Sequence, residues 1–237
     1  MHGHDGLFQS LEMVRSETDL AAFLQEVTRR FGFDCFLIAT IPPASAEQLE
    51  PHIALSDRSS CFFKGYDALG LLKNSPIFAQ LRRTTVPITW TMDGARNGRP
   101  PNELPPAREF FAKFGITIGV FFPVHSADGT RATIGFDGDR PQMSTSELSQ
   151  LGLIVTHAYD VFTGLRNAGR TQRQSLTVRE MEVLTWAANG KTSSEIAAIL
   201  SLSDHTINTY MNTAMRKLDC VNRTQLVAKA LRLHLIS

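Results

Sequence analysis

The stretch Ser203 to Leu218 reads SDHTINTYMNTAMRKL, and the C-terminal fold turns on it. Laid on a helix from Asp204 at roughly 100° per residue, Ile207, Met211, Ala214 and Leu218 share one face. His205, Asn208, Thr209, Asn212 and Arg216 share the other. The first face is apolar and can pack. The second offers amides, hydroxyls and a cation, with no carboxylate. A duplex groove asks for that inventory: amides for base edges, a cation for phosphate, no acid to repel it. Taken alone, the pattern is better read as an ordinary amphipathic helix with a solvated face.

The flanks decide between the two. Upstream, Thr177-Val-Arg-Glu180 is a capping box, with Leu176 and Met181 placed for a hydrophobic staple. Its helix stops at Asn189-Gly190. Thr192-Ser-Ser-Glu195 is a second capping box, followed by Ile196, Ala197 and Leu200. After the turn Ser201-Leu202-Ser203, Ser203 caps the next helix. Two helices joined this way make a helix-turn-helix, with the second as the reading helix. Asn222 caps a fourth helix bearing Leu226, Val227, Ala230 and Leu231 on one side.

Charge and composition divide the 237 residues the same way. From Arg170 onward there are nine Lys/Arg against five acids, whereas the rest carries 15 against 18. All fifteen Phe lie at or before Phe162. Two differently built halves follow, the basic one C-terminal. Cys35, Cys61 and Cys220 have no metal spacing and read as reduced, buried thiols of a cytosolic protein. The N-terminus lacks the pattern of a signal peptide, and no apolar run is long enough to span a membrane.

Residues 7–30 read as one or two helices, with a break or cap at Ser16-Glu17-Thr18. Phe33–Ile41 reads as a strand closed by Pro42-Pro43, with a second strand near His52–Leu55. Residues 61–83 are helical in pattern, interrupted at Ser75-Pro76. Val86–Thr91 reads as a short strand and Asp93–Pro106 as a loop. Glu109–Phe114 is a short helix ending at Gly115. Ile116–Val124 alternates, with Ile116, Ile118, Val120 and Phe122 on one face, and returns through Asp128-Gly129 as Arg131–Asp137. Glu147–Leu165 is an amphipathic helix. The organisation expected is an α+β domain over 1–165, an antiparallel sheet flanked by helices in an αβα sandwich. A polar linker over 166–175 and an all-α four-helix domain over 176–237 follow. No nucleophile, P-loop or metal motif nominates a catalytic centre.

Residues 176–230 resemble the DNA-binding domain of the LuxR family of quorum-sensing regulators. The likeness rests on L-T-x-R-E, G-K-[ST], E-I-A, the turn, T-[IV] and the closing K-L. It implies Lys191, Thr192 and Ser193 as a phosphate seat at a helix N-terminus. Asn208 and Asn212 then face bases, with His205, Thr206 and Thr209 among the DNA-binding residues. Asn is suited to bidentate pairing with adenine. Arg216, Lys217 and Arg223 would lie on the DNA backbone.

The N-terminal half is similar, less closely, to the family's acyl-homoserine-lactone-binding domain. Tyr66 matches the tyrosine near the acyl amide, and Trp90 the tryptophan that donates to the lactone carbonyl. Four positions depart. Phe62 replaces a Trp, Leu71 a Tyr and Ser75 the Asp that accepts the ligand amide, while Gly135 sits where a Ser or Thr hydroxyl is frequent. The resemblance thus implies a pocket over Phe62, Tyr66, Leu71, Ser75, Trp90 and Gly135. Its occupant is left open between an acyl-homoserine lactone, another apolar molecule and nothing. Without the family, Tyr66 and Trp90 also read as core aromatics and Ser75 as a helix N-cap. The expected partners are an inverted-repeat duplex, a small-molecule signal and a second copy of the chain, with mixed dimers with a related regulator also open. No cofactor, metal or membrane is expected. A ligand-independent regulator and an enzyme with a DNA-binding tail remain competing readings.

Overall fold

The computed structural model describes residues 5–92, 104–126, 129–174, 176–233 and 235–236. The chain separates into two compact units that part between Leu165 and Arg166. Asp93 to Glu103 and the Asp128 side of the expected turn lie outside the described residues.

The first unit opens with helices α1 (Asp5–Glu12) and α2 (Glu17–Arg30). The Ser16 hydroxyl accepts from the Asp19 N–H, so the doubtful break is a helix start. Five strands follow: β1 (Cys35–Thr40), β2 (Ile53–Ser56), β3 (Ile88–Thr91), β4 (Ile118–His125) and β5 (Arg131–Gly138). They form one antiparallel sheet in the order β2-β1-β5-β4-β3, which makes β5 the central strand. Between strands lie α3 (Ser60–Ala68), α4 (Pro76–Leu81) and α5 (Leu104–Lys113).

The strand alternation sorts two cores. Phe36, Ile38, Val120, Phe122, Ile134 and Phe136 pack with α1, α2 and the long helix α6 (Thr145–Gln174). Leu37, Ala39, Ile88 and Phe121 face the opposite way and pack with α3, α4 and α5. Helices therefore cover both faces of the sheet, the αβα arrangement expected. Alternation also corrects one detail. Ile116 belongs to the second core, not with Ile118 and Val120, because β4 begins only at Ile118.

Two boundaries differ from the expected ones. Leu104, Pro105 and Pro106 are helix, not loop. Proline is tolerated in a first turn, where its missing N–H has no helical partner. The segment 166–174, expected as a flexible linker, continues α6. Gly costs about 1 kcal/mol in a helix, but Leu, Arg, Ala and Gln around it are good helix formers. The start of α6 is also fixed. Ser144 and Glu147 bond reciprocally as a capping box, and the Ser144 N–H with Arg140 holds the Glu147 carboxyl down at about 2. The thiols differ too. Cys35 and Cys220 are half-buried, while Cys61 is exposed because Phe62, Phe63 and Tyr66 occupy the inner face of α3.

The second unit holds α7 (Val178–Ala188), α8 (Ser193–Leu200), α9 (Asp204–Lys217) and α10 (Arg223–Arg232). Both expected capping boxes are complete, and Ser203 and Asn222 cap as expected. Gly190 turns the chain with φ of +80°, a conformation that side chains strain. Leu184, Ile196, Ile207, Leu218 and Leu226 are fully buried between these helices.

Candidate ligand cavity and nucleic-acid interface

A cavity of about 270 Å3 lies in the first unit, between the second face of the sheet and helices α3, α4 and α5. The rings of Phe62, Tyr66, Phe78, Trp90, Phe111 and Phe121 line it. Ser75 lines it as well. Its hydroxyl oxygen accepts from the Phe78 N–H at 3.4 Å, so the same atom caps α4. The Tyr66 hydroxyl donates to the Leu71 carbonyl at 3.3 Å. Phe62 is an aromatic hub, with Phe110 and Phe114 rings each 5.1 Å away and Tyr66 stacked at 6.0 Å.

Two expected residues stand outside the lining. Leu71 is core beneath α3, touching the site through its carbonyl. Gly135 is opposite Phe121 in the ladder, and a Cβ there would come within 2.5 Å of the Phe121 ring. Gly119 is opposite Trp90, and a Cβ there would reach 2.3 Å from the indole Nε1. These two glycines leave the spaces that the cavity's sheet-borne rings fill. Gly135 therefore acts by making room and not by offering a group.

The central strand supplies what the sequence reading missed. On the cavity side, β5 presents Arg131, Thr133, Gly135 and Asp137, since Ala132, Ile134 and Phe136 pack on the other side. Arg131 donates to the carbonyls of Leu81, Arg82 and Thr84, closing the C-terminal end of α4. The Thr133 hydroxyl donates to the Phe122 carbonyl. Asp137 lines the cavity and pairs with Arg58, their side chains 8% and 6% exposed. The Arg58 guanidinium lies 4.5 Å over the Phe62 ring. Burial pushes its pKa below the ordinary value, against the pull of Cys35, Asp57 and Asp34. The signal was available: a polar row at period two inside an otherwise apolar sheet.

In the second unit, the expected reading face of α9 is exposed at His205, Asn208, Thr209, Asn212 and Arg216, while Ile207, Met211 and Ala214 are buried. Two hydroxyls tie the start of α8 to α9. Ser194 donates to Asp204 at 2.6 Å and Ser193 to the Asn208 side-chain oxygen at 2.9 Å. Asn208 keeps its NH2 donors and its oxygen's second lone pair. The Thr206 hydroxyl bonds that of Ser203, and the Thr209 hydroxyl donates to the His205 carbonyl. Lys191 is partly exposed and reaches Glu195 at 3.4 Å. Thr192, the cap residue, accepts from the Glu195 N–H. Lys217 and Arg223 have intramolecular partners. Lys217 donates to Glu180 at 2.7 Å, and Arg223 to the Lys191 carbonyl. Burial raises the Glu180 pKa, yet Lys217 and the Thr177 N–H outweigh it and the net shift is downward. These two cations brace the helices that hold the reading face.

Residues 16–162 match the family model described as the autoinducer binding domain, and residues 174–230 that of bacterial regulatory proteins, luxR family. The chain belongs to the LuxR family. As a LuxR-type chain it is a transcriptional regulator, with an autoinducer-binding domain followed by a helix-turn-helix DNA-binding domain. It is 30% identical over 235 residues to the transcriptional activator AhyR of Aeromonas hydrophila, covering 95% of this chain and 90% of that one. It is 40% identical over 125 residues to the quorum sensing-dependent regulator RpaR of Rhodopseudomonas palustris, covering 53% and 51%. In fold it is similar to SdiA of Escherichia coli, at a TM-score of 0.76 and 20% identity, covering 98% and 97% of the two chains. These LuxR-type relatives are transcriptional regulators. Among the described residues, no helix is long and apolar enough to cross a membrane, and no group of side chains is placed to hold a metal.

Proposed function

We propose that the chain is a cytoplasmic, non-enzymatic regulator that takes an N-acyl-homoserine lactone into the cavity of its first unit and binds an inverted-repeat duplex as a dimer. One observation carries the reading. Six aromatic rings and several polar side chains line a small cavity in a domain of autoinducer-binding type. That composition suits a compact apolar ligand with a polar head. Its volume lies just below the range of about 300–1,000 Å3 for drug-sized ligands, which favours short or compact acyl groups. Tyr66, Ser75 and Trp90 supply polar tips, with Phe62 as aromatic wall. Leu71 and Gly135 shape the cavity from behind.

DNA is held by the N-terminus of α8, through Lys191, Thr192 and Ser193, and by Arg216. Asn208 and Asn212 read bases, with His205, Thr206 and Thr209 beside them. Lys217 and Arg223 support that surface from within. Two copies place their reading helices on half-sites about 10–10.5 bp apart. Ligand occupancy shifts the folded, DNA-competent population by mass action, with no chemistry at the ligand.

Two measurements test this. Organic extraction of the purified chain followed by mass spectrometry yields an acyl-homoserine lactone, and adding that compound to a ligand-free preparation raises the thermal midpoint. A chain that carries nothing and shows no shift with a panel of acyl lengths contradicts the signal reading. The replacement of the usual Asp by Ser75 favours a second reading, in which the occupant is an apolar molecule of another class. The extraction identifies it directly.

A further inference from the structure

The charged pair in the cavity wall calls for a reason beyond stability. Two buried opposite charges are worth little net to a fold, because desolvation offsets their attraction. Arg131 and Thr133, on the same side of β5, are committed to backbone carbonyls. Asp137 differs: it faces the cavity, and its named partner is a guanidinium that is itself stacked on a cavity-lining ring.

We propose that Asp137 accepts the amide N–H of the ligand, with Arg58 as the positioning residue that orients the carboxylate. The proposal rests on the cavity being the signal site. Ser75 is the weaker acceptor, because its oxygen is neutral and one of its two lone pairs already takes the Phe78 N–H. Asp137 only accepts. The acceptor has thus moved from the start of α4 to the central strand. The amide of the acyl-homoserine lactone proposed above supplies the matching donor. A free fatty acid would bring a second carboxylate against Asp137 and is rejected.

The test compares an N-acyl-homoserine lactone with its ester analogue, in which oxygen replaces the amide nitrogen at the same acyl length. Calorimetric titration of the full-length wild-type chain gives tighter binding of the amide by about tenfold or more. Ser75→Ala weakens both compounds and keeps their ratio. In Asp137→Asn, Arg58 holds the new amide oxygen, a donor faces the ligand, and the preference collapses or inverts. Equal binding of amide and ester by the wild-type chain overturns the proposal. So does loss of the preference in Ser75→Ala alone, an arm that needs no change at Asp137. If wild-type chain binds the amide without that preference, the signal reading stands and only the role of Asp137 falls. Binding of neither compound overturns both.

Discussion

The two units place their polar side chains in opposite ways. In the second, the reading groups stand on one exposed helix face, and the charges that matter for stability are behind it, Lys217 on Glu180 and Arg223 on a backbone carbonyl. In the first, the polar groups are buried among aromatic rings and come from several elements. A DNA surface can be assembled by spacing within a single helix. A cavity needs residues that only the folded sheet brings together, and each buried charge there must be answered by a partner. The difference predicts that substitutions in the cavity wall cost stability, while those on the reading face cost affinity alone.

The largest effect tests that contrast directly. Asp137→Leu removes the buried carboxylate paired with Arg58, leaving Cys35, Asp57 and Asp34 to offset the guanidinium charge in part, and is expected to destabilise the first unit by up to about 3–5 kcal/mol. The chain has two Trp, Trp90 in the first unit and Trp186 in the second, so fluorescence-monitored urea unfolding can follow each unit in single-Trp backgrounds. Replacing both charges, Arg58→Met with Asp137→Leu, should restore most of that loss while leaving ligand binding impaired. A double variant as unstable as the single would mean that the pair is structural.

Gly119→Ala comes next. Its Cβ would have to displace the Trp90 indole, an overpacking expected to cost about 1–3 kcal/mol in the first unit. Ligand affinity should fall with it, and unfolding of the second unit, read at Trp186, should not move. Unchanged ligand affinity would detach Trp90 from the site.

The pH response separates the units from the other side. The pKa of Glu180 is lowered in the folded state, so its stabilising contribution is fully present above the ordinary carboxylate value of about 4.3 and is lost as pH falls through the lowered value. Lys217→Met should destabilise the second unit at neutral pH and narrow its gap to wild type under acid. A gap that stays constant with pH would deny the pair that role. The smallest effect is on affinity alone. Lys191→Ala should weaken specific and non-specific DNA equally and reduce the salt slope by about 1, with stability nearly unchanged.

Legibility in the sequence followed the same division. Capping boxes and helical periodicity are local, so α7 to α10 could be read almost to the residue. The first unit's strands were also readable, from alternation and β-branched runs. What escaped was contact between distant segments. Arg58 and Asp137 have no shared motif, and only the sheet order brings them to one wall. Gly135 was read by what relatives offer there, whereas its role is the space that Phe121 occupies. The end of α6 was misread because a polar, Gly-containing run resembles a linker although most of its residues favour helix.

Control of DNA by the cavity is tested most directly by titrating full-length, ligand-free chain onto a labelled inverted repeat, obtained by selection from random duplexes, with and without a saturating acyl-homoserine lactone. Anisotropy should show the DNA midpoint moving to lower protein concentration with ligand, and the selected site should be two half-sites about one helical turn apart. A ligand that calorimetry shows bound, yet that leaves the midpoint unmoved, would contradict the coupling of the two units.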